Sequence, residues 1–121
     1  MLKLPQQGLN MAAKYELKKT KTGFNFNLKA PNGKYVLTSE TYSDKRAALK
    51  GIESVQKNSG LEKQYEMRKS KRAEPYFVLL AKNKEVIGKS EMYVTLKGCR
   101  NGVASCLKFG PSAILNDLTV A

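Results

Sequence analysis

Residues 24–42 read FNFNLKAPNGKYVLTSETY, and residues 75–93 read PYFVLLAKNKEVIGKSEMY. In the first stretch Phe24, Phe26 and Leu28 alternate with Asn25, Asn27 and Lys29. That two-residue period belongs to a strand with one buried and one wet face. Pro31-Asn32-Gly33 supplies a turn in which Asn-Gly tolerates positive φ, and KYVLTSE follows as the next strand. Upstream, Tyr15 and Leu17 alternate with charged residues, and Lys21-Thr22-Gly23 turns the chain into Phe24. Three short antiparallel strands are therefore predicted.

The second stretch is a copy of the first. Tyr15 over Tyr65 aligns YELKKTK with YEMRKSK at an offset of 50, and one extra residue in the next turn moves the offset to 51. Phe26, Leu28, Ala30 and Asn32 then meet Phe77, Leu79, Ala81 and Asn83. Ser39, Glu40, Tyr42, Gly51, Ser54 and Lys57 meet Ser90, Glu91, Tyr93, Gly102, Ser105 and Lys108. Identity at 14 of 40 aligned pairs marks a duplication, not chance composition.

After Tyr42 the period changes to that of a helix. Ser43 or Asp44 can cap it, Ala48, Ile52 and Val55 form its apolar side, and Asn58-Ser59-Gly60 ends it. In the second copy Thr95 caps a helix whose inner side carries Cys99, Val103 and Cys106. Ala113 to Asn116 is expected to form a short closing strand. The fold class is thus α+β: tandem β-β-β-α units, each with a possible short extra strand. A unit of about 50 residues is marginal alone, so the two should share a core in pseudo-twofold pairing. The expected organisation is a loose arm at 1–13, a first repeat at 14–60 and a second at 61–121.

A chain of 121 residues with 22 Lys and Arg against 10 Asp and Glu carries a formal charge of +12. Split at Gly60, eleven basic and four acidic residues precede it while eleven and six follow, so the charge belongs to the folded body. Residues 1–11 lack the apolar centre of a secretory signal, and no apolar run approaches the roughly 18 residues of a membrane span. Cys99 and Cys106, seven residues apart on one helix, are too distant for an easy disulfide and read as buried thiols. These features suit a cytoplasmic location.

Several chemistries are disfavoured by the residue inventory. With no histidine, a serine nucleophile lacks its usual base, and no Ser-x-x-Lys constellation replaces it. Two cysteines and scattered carboxylates make no recognisable metal set, and neither Gly51 nor Gly102 lies in a phosphate-binding glycine pattern. No enzyme activity and no cofactor are expected.

The arrangement from Tyr15 to Asn58, with FNFNLKAPNG, TSETY and GIESV, and its return as IGKSEMYVTLKGCRNGVASCLK resemble the YegP-like bacterial family, a small domain of unknown function often found in tandem. The resemblance spans residues 14–119. It implies a duplicated β-β-β-α architecture and supplies no catalytic residue or ligand. Lys84 stands where a turn glycine is expected, and Cys106 replaces an aliphatic Val.

Three sets of residues are candidates for function. Ser39, Glu40, Tyr42 and Gly51, repeated as Ser90, Glu91, Tyr93 and Gly102, read as structure. The tyrosines close the sheet end, Ser or Glu accepts backbone N–H groups at the strand-to-helix bend, and the glycines permit close packing. A polyanion-binding reading takes Lys18, Lys19 and Lys21 with Arg68, Lys69, Lys71 and Arg72 at the two first hairpins, with Tyr35 or Tyr76 stacking on an unpaired base. An interaction face is suggested by Tyr76, Val78 and Leu80, which replace the wet Asn25, Asn27 and Lys29. Either the tail around Ile114, Leu115 and Leu118 covers that face, the favoured reading, or another chain does. The first expectation is a small, basic, non-enzymatic protein of unassigned function, read as an interaction module and as a monomer with internal symmetry, whose partner, protein or nucleic acid, the sequence leaves open. Single-stranded nucleic acid is the alternative. A small-molecule cleft between the repeats, lined by Glu40 or Glu91, is the third reading.

Overall fold

The computed structural model describes residues 12–120. Each repeat opens with three antiparallel strands: β1 (Lys14–Lys19), β2 (Phe24–Lys29) and β3 (Tyr35–Thr38), then β4 (Tyr65–Lys69), β5 (Pro75–Leu80) and β6 (Val86–Lys89). Helix α1 (Lys45–Asn58) follows β3, helix α2 (Leu96–Phe109) follows β6, and strand β7 (Ile114–Asp117) comes last. The helices begin where the chain offers a cap. An Asp44 oxygen accepts the Ala47 N–H at 2.8 Å, and Thr95 Oγ1 accepts that of Gly98 at 3.0 Å. The second turn of each repeat needs a left-handed residue, taken by Gly33 at φ +88° in one and by Lys84 at φ +70° in the other.

The seven strands form one sheet in the order β4-β5-β6-β3-β2-β1-β7. The repeats join where β3 meets β6 antiparallel, with Thr38 opposite Lys89. These two residues are equivalent by the offset of 51. A twofold relating neighbouring antiparallel strands runs perpendicular to the sheet, so both helices pack on the same face. The shared core on that face includes Tyr15, Leu17, Phe26, Leu28, Val55, Phe77, Leu79 and Cys106, each no more than 1% exposed. The repeats also bind each other's helix ends. Tyr15 Oη donates to the Gly110 carbonyl at 2.6 Å, while Tyr65 Oη donates to that of Ser59 at 2.6 Å.

The C-terminal segment does not cover Tyr76, Val78 and Leu80. Strand β7 pairs in parallel with β1, at the opposite edge of the sheet from β5. The physical reason is backbone pairing: the carbonyls of Ala13 and Leu17 accept the N–H groups of Ile114 and Leu118, which closes an edge that β1 otherwise leaves open. Of the arm expected at 1–13, residues 1–11 lie outside the described residues, and Ala13 is buried. Both cysteines are free and buried.

Candidate interaction surface on the helix-free face

Cross-strand partners share a face, which places Glu16, Lys18, Asn27, Lys29, Tyr35 and Thr38 on the side away from the helices in the first repeat. Their bonds agree. Tyr35 Oη donates to Glu16 at 2.7 Å, Lys29 Nζ lies 3.4 Å from the other Glu16 oxygen, and Asn27 donates to Thr38 Oγ1 at 2.8 Å. Lys18 and Lys29 hold their ammonium groups 4.8 and 5.6 Å from the centre of the Tyr35 ring. Burial opposes ionisation of Glu16, but the Tyr35 hydroxyl and the two lysines outweigh it and hold the carboxyl below its usual range. This half of the face is polar and largely bonded within itself, although the Asn25 side-chain oxygen is buried without a partner.

At equivalent positions the second half keeps charge at Glu66, Arg68 and Lys89 but turns apolar along β5 and at Val86. Tyr76, Val78 and Leu80 face the same way as Val86, which pairs with Leu80. Val78 is 1% exposed yet stands apart from the helix-side core. Its partner Lys89 carries an ammonium 5.2 Å from the Tyr76 ring centre, drawing the aliphatic stem along the strip. Val86 is 39% exposed, and no described helix or strand lies over this face.

A cleft of about 400 Å³ sits at the seam between the halves. Its lining comes as equivalent pairs: Tyr35 with Val86, Thr38 with Lys89, and Glu40 with Glu91. Glu40 and Glu91 are both exposed. Lys89 is the cation among these residues. Leu37 and Gly88, also equivalent, meet here, and a Cβ on Gly88 would lie 2.5 Å from Leu37 Cδ2. Tyr35, Thr38, Val86 and Lys89 are brought to the seam by the single β3-β6 pairing, which alternation within one strand does not announce.

The repeated polar motif builds the strand ends. Ser39 Oγ accepts the Phe26 N–H at 2.9 Å and Ser90 Oγ that of Phe77 at 2.9 Å, while each serine donates to the carbonyl of the glutamate after it. Tyr42 stacks on Phe26 and Tyr93 on Phe77, with centroids 6.2 and 6.4 Å apart. Their hydroxyls rest against Gly51 and Gly102 of the helices. Burial pushes the Tyr42 hydroxyl up and the Tyr93 hydroxyl up to about 12. Burial likewise pushes the Cys106 thiol up to about 12, so none of these groups is activated as a nucleophile.

The basic hairpins match without merging. Because β3 and β6 are antiparallel, the tip carrying Lys19 and Lys21 and the tip carrying Lys69, Lys71 and Arg72 point to opposite ends of the sheet. Four inter-strand spacings, roughly 19 Å, also separate them laterally. Lys18 lies 4.0 Å from Glu16, and Arg68 bonds Glu66 at 2.6 Å. The faces of both tyrosines proposed for base stacking carry lysine ammoniums.

Fold and surface together define a tandem β-β-β-α protein whose two halves are joined in one sheet and whose repeated serines bond the strand ends alike. Among the described residues no group of His, Cys, Asp and Glu is arranged to hold a metal ion, and no helix is long and apolar enough to cross a membrane. The chain belongs to the family described as a domain of unknown function (DUF1508), which matches it twice, at residues 20–66 and 70–117. It is 51% identical over 107 residues to the UPF0339 protein YegP of Yersinia pestis, covering 88% of this chain and 96% of that one. A UPF0339 protein of Pseudomonas aeruginosa is 45% identical over 108 residues, covering 88% and 98%. The solution structure of yegP from E. coli, a protein of unknown function, is similar with a TM-score of 0.84 and 42% identity, over 92% of this chain and 97% of that one. That of a UPF0339 protein from Shewanella oneidensis gives 0.83 and 43%, over 89% and 92%.

Proposed function

We propose that the protein is a non-catalytic cytoplasmic binding module that receives a protein partner on the helix-free face of its sheet. One observation carries this reading. The β2 positions Asn25, Asn27 and Lys29, polar in the first repeat, are Tyr76, Val78 and Leu80 in the second, on a face with no described layer above it. A sheet face facing water is ordinarily polar, and an apolar strip rimmed by charged residues is the composition of a binding patch. The seam cleft beside it offers a socket for one protruding side chain.

Nucleic acid is the second reading, favoured by the charge of +12 and by the paired basic hairpins Lys18, Lys19, Lys21 and Arg68, Lys69, Lys71, Arg72. Its phosphate contacts predict a steep salt dependence. The separation of the two tips favours a long polyanion over a compact phosphate group.

One experiment divides these readings. A photo-crosslinking residue is placed at position 86 in cells, in the parent chain and in the Tyr76→Ala, Leu80→Ser background, with labelled single-stranded DNA titrated against the same proteins. A discrete protein adduct in the parent, lost in the double variant, is the expected outcome. Salt-dependent DNA binding stronger than a basic control, abolished by neutralising Lys18, Lys19, Arg68 and Lys69, with no adduct at position 86, would replace this reading with the second.

A further inference from the structure

The internal symmetry is broken at the outer edges of the sheet. Beside β1 lies β7, and the equivalent place beside β4 holds no described strand. Burial records the difference. In β1 Tyr15, Glu16 and Leu17 are buried, whereas in β4 Met67, the counterpart of Leu17, is 44% exposed and its strand neighbours are exposed as well. Since the carbonyls of Ala13 and Leu17 face β7, the equivalent backbone groups of Met67 face outward from the sheet.

The helix side shows the same vacancy. Where β7 runs past α1, Gln56 donates to the Ala113 carbonyl at 3.4 Å and Lys45 pairs with Asp117 at 2.6 Å. Beside α2 the equivalent space is a groove of about 300 Å³ lined by Glu62, Met67, Arg100, Val103, Ala104 and Leu107. Leu107 stands where Gln56 does, and Arg100 stands where Leu49 does. On β7 the inward positions opposite Tyr15 and Leu17 are Leu115 and Asp117. A strand laid in that register beside β4 puts an apolar side chain into the groove opposite Tyr65 and the residue two positions later opposite Met67, where the counterpart of Lys45 is Leu96 and the lining cation is Arg100, one turn further along α2.

We propose that the β4 edge and the groove beside α2 bind an extended segment of a partner protein, running parallel to β4, with an apolar residue two positions before an acidic one. Backbone pairing to the edge supplies affinity and the alternate side chains supply selectivity, the mode of strand addition to an open sheet. The acidic preference follows from Arg100 and from the excess positive charge of the chain. This surface is separate from the Tyr76, Val78 and Leu80 strip, so the two proposals fail independently.

The probe is an acetylated peptide with the sequence of residues 112–119, SAILNDLT, titrated into the isotope-labelled full chain by NMR. Expected are shifts at the amides of residues 62–69 and 96–107, and a loss of affinity of at least tenfold for a peptide with the acidic residue changed to lysine. Ala104→Arg, at an exposed helix position, should block the groove and weaken binding comparably. Met67→Pro should remove an outward N–H, with the dispersed spectrum showing whether the fold is intact. No shifts, shifts confined to the β1 edge, or a concentration-dependent dimer that buries β4 against a second copy would each overturn the proposal.

Discussion

Gly51→Ala sets two physical effects against each other. Alanine is favoured over glycine inside a helix by about 1 kcal/mol, so propensity alone predicts a more stable protein. Sterics predict the reverse. A Cβ at position 51 would stand 2.5 Å from Tyr42 Oη, 2.8 Å from Tyr42 Cζ and 3.1 Å from Phe26 Cε2. Tyr42 cannot yield freely, because its ring stacks on Phe26 at 6.2 Å and its backbone pairs with Phe24 at 2.7 and 2.8 Å. Overpacking of this kind costs about 1–3 kcal/mol, and disturbing the stacked pair adds about 0.5–1.5 kcal/mol. The steric side is larger, and a net loss of about 1–3 kcal/mol is expected. Equilibrium urea unfolding resolves this, since a slope of about 2 kcal/mol/M makes it a midpoint shift of roughly 1 M. Tyr42→Phe removes the nearest atom and should recover part of the loss in the double variant. A Gly51→Ala protein as stable as the parent, or more so, would refute the claim that the repeated glycine exists to seat the repeated tyrosine.

Two further outcomes follow from local geometry. Lys84 holds φ +70°, a conformation that costs an ordinary residue roughly 1 kcal/mol, so Lys84→Gly should raise the unfolding midpoint while Gly33→Ala, at φ +88° with open space around it, should lower it. Asp117 is pulled down to about 2 by hydrogen bonds from Lys45 and from the Thr119 side chain and backbone, against an unfolded value near 3.9. Its stabilising contribution is present above the unfolded value and is lost as pH falls through about 2. Amide exchange in β7 should therefore quicken below pH 4 relative to that in β5, and Asp117→Asn should remove the difference.

The strands, helices and caps were legible because each is announced locally: period two in FNFNLK, apolar residues at 48, 52 and 55, Asp44 and Thr95 before the helices. The Ser-Glu-x-Tyr motif reads as structure because consecutive strand residues point to opposite faces and do not serve one atom. What stayed hidden depends on neighbours. Alternation assigns Leu37 and Gly88 to a face but does not say that they meet, since that follows from one antiparallel register at Thr38 and Lys89. The course of β7 is hidden in the sequence for the same reason. Ile114 and Leu115 looked like a lid for an apolar strip, while the free N–H and C=O groups of β1 were the stronger attraction, invisible until strand order was known. A signal for the open groove was present in the alignment: Arg100 against Leu49 and Leu107 against Gln56 exchange charged or polar for apolar side chains on the helix flank.

A duplication held in one chain escapes a constraint that binds a homodimer. On the axis of a homodimer a residue meets its own copy, so bulky side chains there collide or leave a void. Here Leu37 meets Gly88, and Ser59 meets Gly110 closely enough that no Cβ fits on either glycine without displacement. Each large residue is accommodated by a small one at the equivalent place, an arrangement identical subunits cannot make. The two halves were therefore free to diverge wherever the shared core did not hold them alike. The tyrosine-on-glycine contacts and the serine bonds have not diverged, consistent with service to the fold. The middle strip of the helix-free face has diverged from polar in β2 to apolar in β5, and the outer edge from filled to open. Binding that uses the molecule as one unit should engage those unlike places. An artificial chain with two copies of the first repeat should then lose partner binding, and it should also be destabilised at the axis, where Leu37 would face leucine and Ser59 would face serine.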